Sequence, residues 1–197
     1  MAAAHLRLHD REIDETPWIE AARQGDPQAA AWLVDRYGPL VHRFALRLLR
    51  DEQDASDAAQ DSLVKMLRNL DRYDPHWRFS TWIIGITRNT CIDEFRRRKR
   101  RSYEEAPDIA DHRPGPHELT SRQERADTLH VAMGRIPPMY REILVLYHFE
   151  HLKYREIADL LDLPIGTVMN RIFRARQKLR DVYRELAPGE DLDGAGL

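Results

Sequence analysis

The stretch GTVMNRIFRARQKLR, Gly166 to Arg180, carries five cationic side chains and no anionic one, in a chain whose 31 basic and 33 acidic residues nearly cancel. Ordinary surface helices mix signs for i,i+4 pairing, so charge of one sign on one segment points to an anionic partner. At 100° per residue, Val168, Ile172, Ala175 and Leu179 fall in one narrow sector, which predicts the buried stripe. Thr167, Asn170, Arg174, Gln177 and Lys178 lie on the far side, flanked by Arg171 and Phe173. That face offers forked donors and amides, the groups that meet phosphates and base edges in a DNA groove.

A second basic run, Arg96, Arg97, Arg98, Lys99, Arg100 and Arg101, ends the segment FSTWIIGITRNTCIDEFRRRKRR. A cationic helix C-terminus is what the macrodipole prefers, but that accounts for one or two cations and not six in a row, so phosphate contact is expected. Trp82, Ile83, Ile84 and Ile86 make the start of the same segment apolar nearly all round. Trp82 among three isoleucines is read as core rather than as a wedge for an unpaired base. Metal chemistry has little support: His148 and His151, and His5 and His9, are spaced for a shared ion, yet no third ligand stands at a supporting distance. No glycine-rich phosphate loop, nucleophile motif or cofactor-binding motif is present, which leaves a helical metal-dependent hydrolase as the distant enzymatic alternative.

These groups need scaffolding, and the sequence predicts helices throughout, with scarce glycine and no alternating strand pattern. TPWIEAARQG predicts a helix capped by Thr16, with Pro17 at its first position and Gly25 at its stop; Asp26 and Pro27 repeat the device for a long second helix. Further helices are expected over about Gln53–Leu70 and, after the turn-rich DRYDPHWR, over Phe79–Arg100. In the third, Ala59, Leu63, Met66, Leu67 and Leu70 share the inward face, and Asp57, Gln60, Asp61, Lys65 and Arg68 project opposite. The segment EEAPDIADHRPGPHELT, with three prolines and five acidic residues, predicts a flexible acidic linker. Beyond it, helices are expected over Ser121–Gly134, Pro138–Phe149, Tyr154–Leu161 and Ile165–Leu186. YREIADLLDLPIGTV, with small Ala158 inside a short amphipathic helix and a tight turn at Asp162–Pro164 before the long helix, is a helix-turn-helix pattern. Asp162 stands where many such turns carry glycine, and aspartate tolerates the left-handed conformation.

The expected fold is therefore all-α, in two small helical domains each with its own core: an arm over 1–16, a first domain over 17–103, a linker over 104–121, a second domain over 122–187 and a tail over 188–197. A single cysteine, Cys91, excludes an internal disulfide, and no apolar run approaches the roughly 18 residues of a membrane span, so the cytoplasm is the expected compartment.

Taken together, the motifs resemble a known family. GTVMNRIFRARQKLR resembles the GTV-x-x-R-x-x-RAR-x-x-L signature of the C-terminal domain of extracytoplasmic-function sigma factors. DASDAAQDSLVKMLRNLDRYDP is similar to that family's polymerase-binding segment, and FSTWIIGITRNTCIDEFRRRKR to its promoter-melting segment. The resemblance implies a dissociable subunit of bacterial RNA polymerase, the first domain reading and opening the −10 element and the second reading −35, with the possibility of control by an anti-sigma protein. It makes Asp57, Gln60 and Asp61 the expected contacts to a basic hairpin of the β′ subunit, where from the residues alone dipole compensation would serve equally well. It makes Asn89 the expected reader of the −10 non-template strand, an amide offering both donor and acceptor to a base edge. Tyr73, Trp77 and Arg78 are then expected to form a pocket for an extruded base by stacking and cation–π contact. A DNA-binding regulator that never engages polymerase is the nearer rival.

Overall fold

A computed structural model of the chain describes residues 14–104 and 121–189. The greater part of the expected arm, the linker and most of the tail lie outside the described residues, as do His5 and His9. Among the described residues every regular element is helical. The helices are α1 (Thr16–Arg23), α2 (Pro27–Leu49), α3 (Glu52–Arg68), α4 (Phe79–Glu104), α5 (Ser121–Arg135), α6 (Pro138–Leu144), α7 (Tyr154–Leu161) and α8 (Ile165–Leu186), with a short 3-10 turn at Leu70–Arg72.

Local chemistry sets most boundaries. Asp26 caps α2 by accepting from the Gln28 amide, and Pro27 opens the helix as expected. Gly25 follows α1 with φ of +88°, a conformation glycine adopts without a Cβ penalty. Thr16 is not the cap of α1: it lies inside the first turn, Glu15 is the boundary residue, and the Asp14 carboxylate accepts the Thr16 amide. Proline one position later had made Thr16 look like a boundary, but proline is equally at home at the second helical position. Asp51 caps α3 through the Asp54 amide, so the helix opens at Glu52, and it stops at Arg68 rather than Leu70, which falls in a 3-10 turn. The helix expected over Pro138–Phe149 changes pitch: α6 ends at Leu144, and Val145–Phe149 widens into a π turn. Such a turn adds a residue to the register, a shift no hydrophobic pattern announces.

One apolar core, built from Ile19, Leu33, Tyr37, Val41, Met66, Leu70, Phe79 and Ile83, holds α1 to α4 together. The other differs from expectation. Phe44, Leu48, Ala55, Ile84 and Cys91 of the first domain join Ile136, Leu144, Leu146, Ile157, Val168, Ile172 and Leu179 of the second in one continuous cluster. The second domain thus does not close its core alone. In α8 the buried residues are Val168, Ile172, Ala175, Leu179 and Tyr183, the predicted stripe extended by one turn. Asp162 ends α7 in the left-handed conformation with φ of +52°, as the turn requires.

Candidate nucleic-acid interface

The outward face of α8 follows from that burial. With its inner stripe against α5, α6 and α7, Thr167, Asn170, Phe173, Arg174, Gln177 and Lys178 are exposed and Arg171 is half-buried beside them. Phe173 is 61% exposed, an expensive position for a phenyl ring in water and an apt one for a thymine methyl group. Arg171 and Arg174 form no ion pair with any described residue, so their charge is available to an external anion. The Lys178 ammonium lies 5.7 Å from the centre of the Tyr140 ring, which steadies its stem without neutralising it. Arg176, on the flank, turns inward instead, its Nε 3.3 Å from His148 Nε2 and its guanidinium over Tyr147. Burial and this cation hold the His148 imidazole down to about 4, so it stays neutral near pH 7. Among the described residues no three histidine, cysteine or carboxylate side chains gather as a metal site.

The α4 surface is arranged differently from its sequence. Arg96 pairs with Asp93 at 3.3 Å and Arg97 with Glu94 at 3.0 Å, one turn back on the same helix. Arg98 reaches across to Asp51 at 3.7 Å and to Asp54, the acidic start of α3. Three of the six clustered cations are therefore partly neutralised from within, and the side chains of Lys99, Arg100 and Arg101 lie outside the described residues. The Arg96–Asp93 pair is exposed and worth about 0–1 kcal/mol, little enough for phosphate to exchange for the carboxylate, whereas Glu94 and Asp54 are largely covered.

The preceding loop is fixed by Arg23 of α1, whose Nε donates to Leu70 O at 2.9 Å and whose Nη2 donates to Tyr73 O at 2.8 Å. The Tyr73 hydroxyl donates to Trp77 O at 2.7 Å, and its ring meets Phe79 edge-on and leans on Trp82. Tyr73 thus braces the loop from inside, Arg78 is exposed, and Trp77 turns toward α4. There Trp77, Trp82 and Asn89 line one cleft with Thr81, Gly85 and Ile86. The structure brings Trp77 and Asn89 together and leaves Tyr73 and Arg78 outside that wall. Trp82 is half-buried: one side packs on the first core and the other faces the cleft, so it is not wholly core as expected.

On α3, Asp57, Gln60 and Asp61 are exposed and border a shallow polar groove with Asp54, Glu94 and Arg97. Val64, 46% exposed, continues the same face one turn on. Sequence reasoning passed over it, although its i+3 spacing from Asp61 was visible. Also missed were Arg88 and Glu142, paired at 2.5 Å between α4 and α6, and Arg141. A lone arginine at the head of the apolar run Ile143–Leu146 was the available signal for the last.

Residues 33–101 match the family described as Sigma-70 region 2, and residues 126–179 match Sigma-70, region 4. The ECF RNA polymerase sigma factor SigW of Bacillus subtilis is 30% identical over 179 residues, covering 85% of this chain and 96% of that protein. SigE of Mycolicibacterium smegmatis is 32% identical over 197 residues, 91% of this chain and 76% of that one. Among solved structures, the sigma factor RpoE bound to the anti-sigma factor NepR from Bartonella quintana superposes with a TM-score of 0.66 at 22% identity, over 78% of this chain and 96% of that one. CnrH in complex with the cytosolic domain of CnrY gives 0.64 at 24%, over 87% and 97%. Those two show a shared fold. With both region families matched across the two halves and relatives aligned over most of their length, the chain belongs to the ECF group of RNA polymerase sigma factors.

Proposed function

We propose that this sigma factor, which directs promoter-specific initiation, divides its work among three surfaces, a reading carried above all by the unpaired cationic face of α8. Arg174 and Arg171, with Asn170, Gln177, Lys178, Thr167 and Phe173, read the −35 major groove. The α3 face of Asp57, Gln60 and Asp61 docks on a basic element of core polymerase, where exposed charge sets on-rate and orientation. Asn89 and Trp77 take the −10 non-template strand, and Arg96, Arg97 and Arg98 exchange their carboxylates for its phosphates. The boundaries that serve this division are 17–103 and 122–187.

The chain supplies binding energy and no catalysis, which belongs to the polymerase. Removing a base from the stack costs a few kcal/mol. Stacking on an aromatic side chain returns about 1–3 kcal/mol per base. Amide hydrogen bonds from Asn89 add to that. The partners are core polymerase and promoter DNA, and in the holoenzyme the protein is placed on the nucleoid; no described helix is long and apolar enough to cross a membrane. An anti-sigma protein is a further partner we infer, supported by the two solved sigma factors of similar fold that are each bound to one. Run-off transcription with purified core polymerase tests the reading: transcripts from discrete promoters only in the presence of this chain support it, and no binding to core would sink it.

A further inference from the structure

Helix α1 lies before residues 33–101, the segment that matches Sigma-70 region 2, and none of the surfaces proposed above includes it. It is seated by Ile19, buried in the first core with Leu70 and Phe79. One turn on, on the same side of the helix, stands its last residue, Arg23. Each nitrogen of the Arg23 guanidinium has an acceptor within the fold: Nε donates to Leu70 O at 2.9 Å, Nη2 to Tyr73 O at 2.8 Å, and Nη1 to the Glu20 carboxylate at 2.6 Å. The side chain is only 20% exposed, so the fork faces inward and not toward a phosphate.

What it holds is the foot of the loop before α4. The 3-10 turn Leu70–Arg72 follows α3, and its end leaves carbonyls that need donors. Arg23 serves the Leu70 and Tyr73 carbonyls from one planar fork, a geometry that lysine cannot match. From Tyr73 the restraint passes on, because its hydroxyl donates to Trp77 O at 2.7 Å. Between those two residues the chain closes on itself, the Trp77 amide donating to Asp74 O at 3.0 Å and the His76 amide to the Asp74 carboxylate at 3.0 Å. Residues 74–77 are therefore a closed turn tied at both ends to Tyr73. Displacing the Tyr73 carbonyl displaces the Trp77 ring, which shares its cleft with Asn89.

We propose that Arg23 is a positioning residue for −10 recognition: it fixes Tyr73, and through Tyr73 it holds Trp77 where an extruded base stacks. This role rests on the assignment of Trp77 to the −10 strand made above. A ring already held meets the base without first losing its own freedom, and a loose one would bind about two- to tenfold more weakly. The Tyr73 ring packs on Phe79 and Trp82 without help from Arg23, so the fold survives the loss of the fork.

Holoenzyme assembled from the full chain and core polymerase is titrated with a labelled single-stranded oligonucleotide carrying the −10 non-template strand of a promoter it transcribes. Trp77→Ala should weaken binding about five- to a hundredfold, the range that stacking of a base on an aromatic ring supplies. Arg23→Met should weaken it about two- to tenfold, and Arg23→Lys by less, with affinity for core polymerase unchanged in both. In the Trp77→Ala background Arg23→Met should add less than about twofold, because the ring it positions is gone. An Arg23→Met loss as large without Trp77 as with it, or no loss at all, would overturn the positioning role. Loss of core binding in both Arg23 variants would mark the residue as structural and overturn it too. Trp77→Ala binding as tightly as wild type would remove Trp77 from the −10 surface and the role of Arg23 with it. A wild type that binds core polymerase but not the oligonucleotide would sink the −10 reading as a whole.

Discussion

Replacing Arg141 with methionine should cost this protein more than any other single charge deletion, and the structure sets the scale. Three hydrogen bonds of 3.0 Å or less, to Leu48, Met133 and Gly134, are lost, with a weaker one to Ile136 at 3.4 Å. Bonds to a charged donor contribute about 1.5–3 kcal/mol each. Against them stands burial, which together with neighbouring Arg50 pulls the guanidinium down to about 10 and opposes its charge by roughly 3 kcal/mol. Methionine fills the space and relieves that burial cost, but it leaves helix-terminal carbonyls without donors, at about 1–3 kcal/mol each. The bonds and the stranded acceptors outweigh the relief, for a net loss of about 3–5 kcal/mol. Urea denaturation followed by circular dichroism measures it. Wild type should unfold in one transition, because the larger core spans both halves, and the variant in an earlier one. A variant within about 1 kcal/mol of wild type, or two separate wild-type transitions, would refute the reasoning.

On α8, Arg174→Ala should weaken −35 binding by about 1–3 kcal/mol and relax preference at one position; uniformly weaker binding with preference intact would make Arg174 a phosphate contact. Asp61→Arg should abolish binding of labelled core polymerase, since a like charge at an interface costs several kcal/mol, and equal affinity for both proteins would reject that contact. For Asn89→Ala the expected result is reduced permanganate reactivity of promoter thymines at unchanged core binding; normal opening would move base reading to Trp77. Burial raises the Glu150 carboxyl to about 7 against an ordinary value near 4.5. With the folded value above the unfolded one, its stabilisation is complete below about 4.5 and lost as pH rises through about 7. Wild type should therefore lose more stability than Glu150→Gln between pH 6 and pH 8, by about 1 kcal/mol, and parallel urea midpoints would contradict this.

The helices and the phase of α8 are legible along the chain, because the signals are local. A 3.6-residue period, Asp26 before Pro27, and aspartate at a left-handed turn act within a few residues and need no knowledge of the rest of the chain. Where two local rules overlapped, as for Thr16 beside Pro17, the boundary slipped by a residue. Folding alone settled how charge is shared. Arg98 meets Asp51 and Asp54, Arg88 meets Glu142, and Arg47 meets Glu150, partners far apart in sequence that folding brings together. It also decided that one core serves both halves and that Asn89 faces α7. Such outcomes depend on the free energy of removing apolar surface and carbonyls from water wherever the folded chain allows. No window of sequence carries that sum.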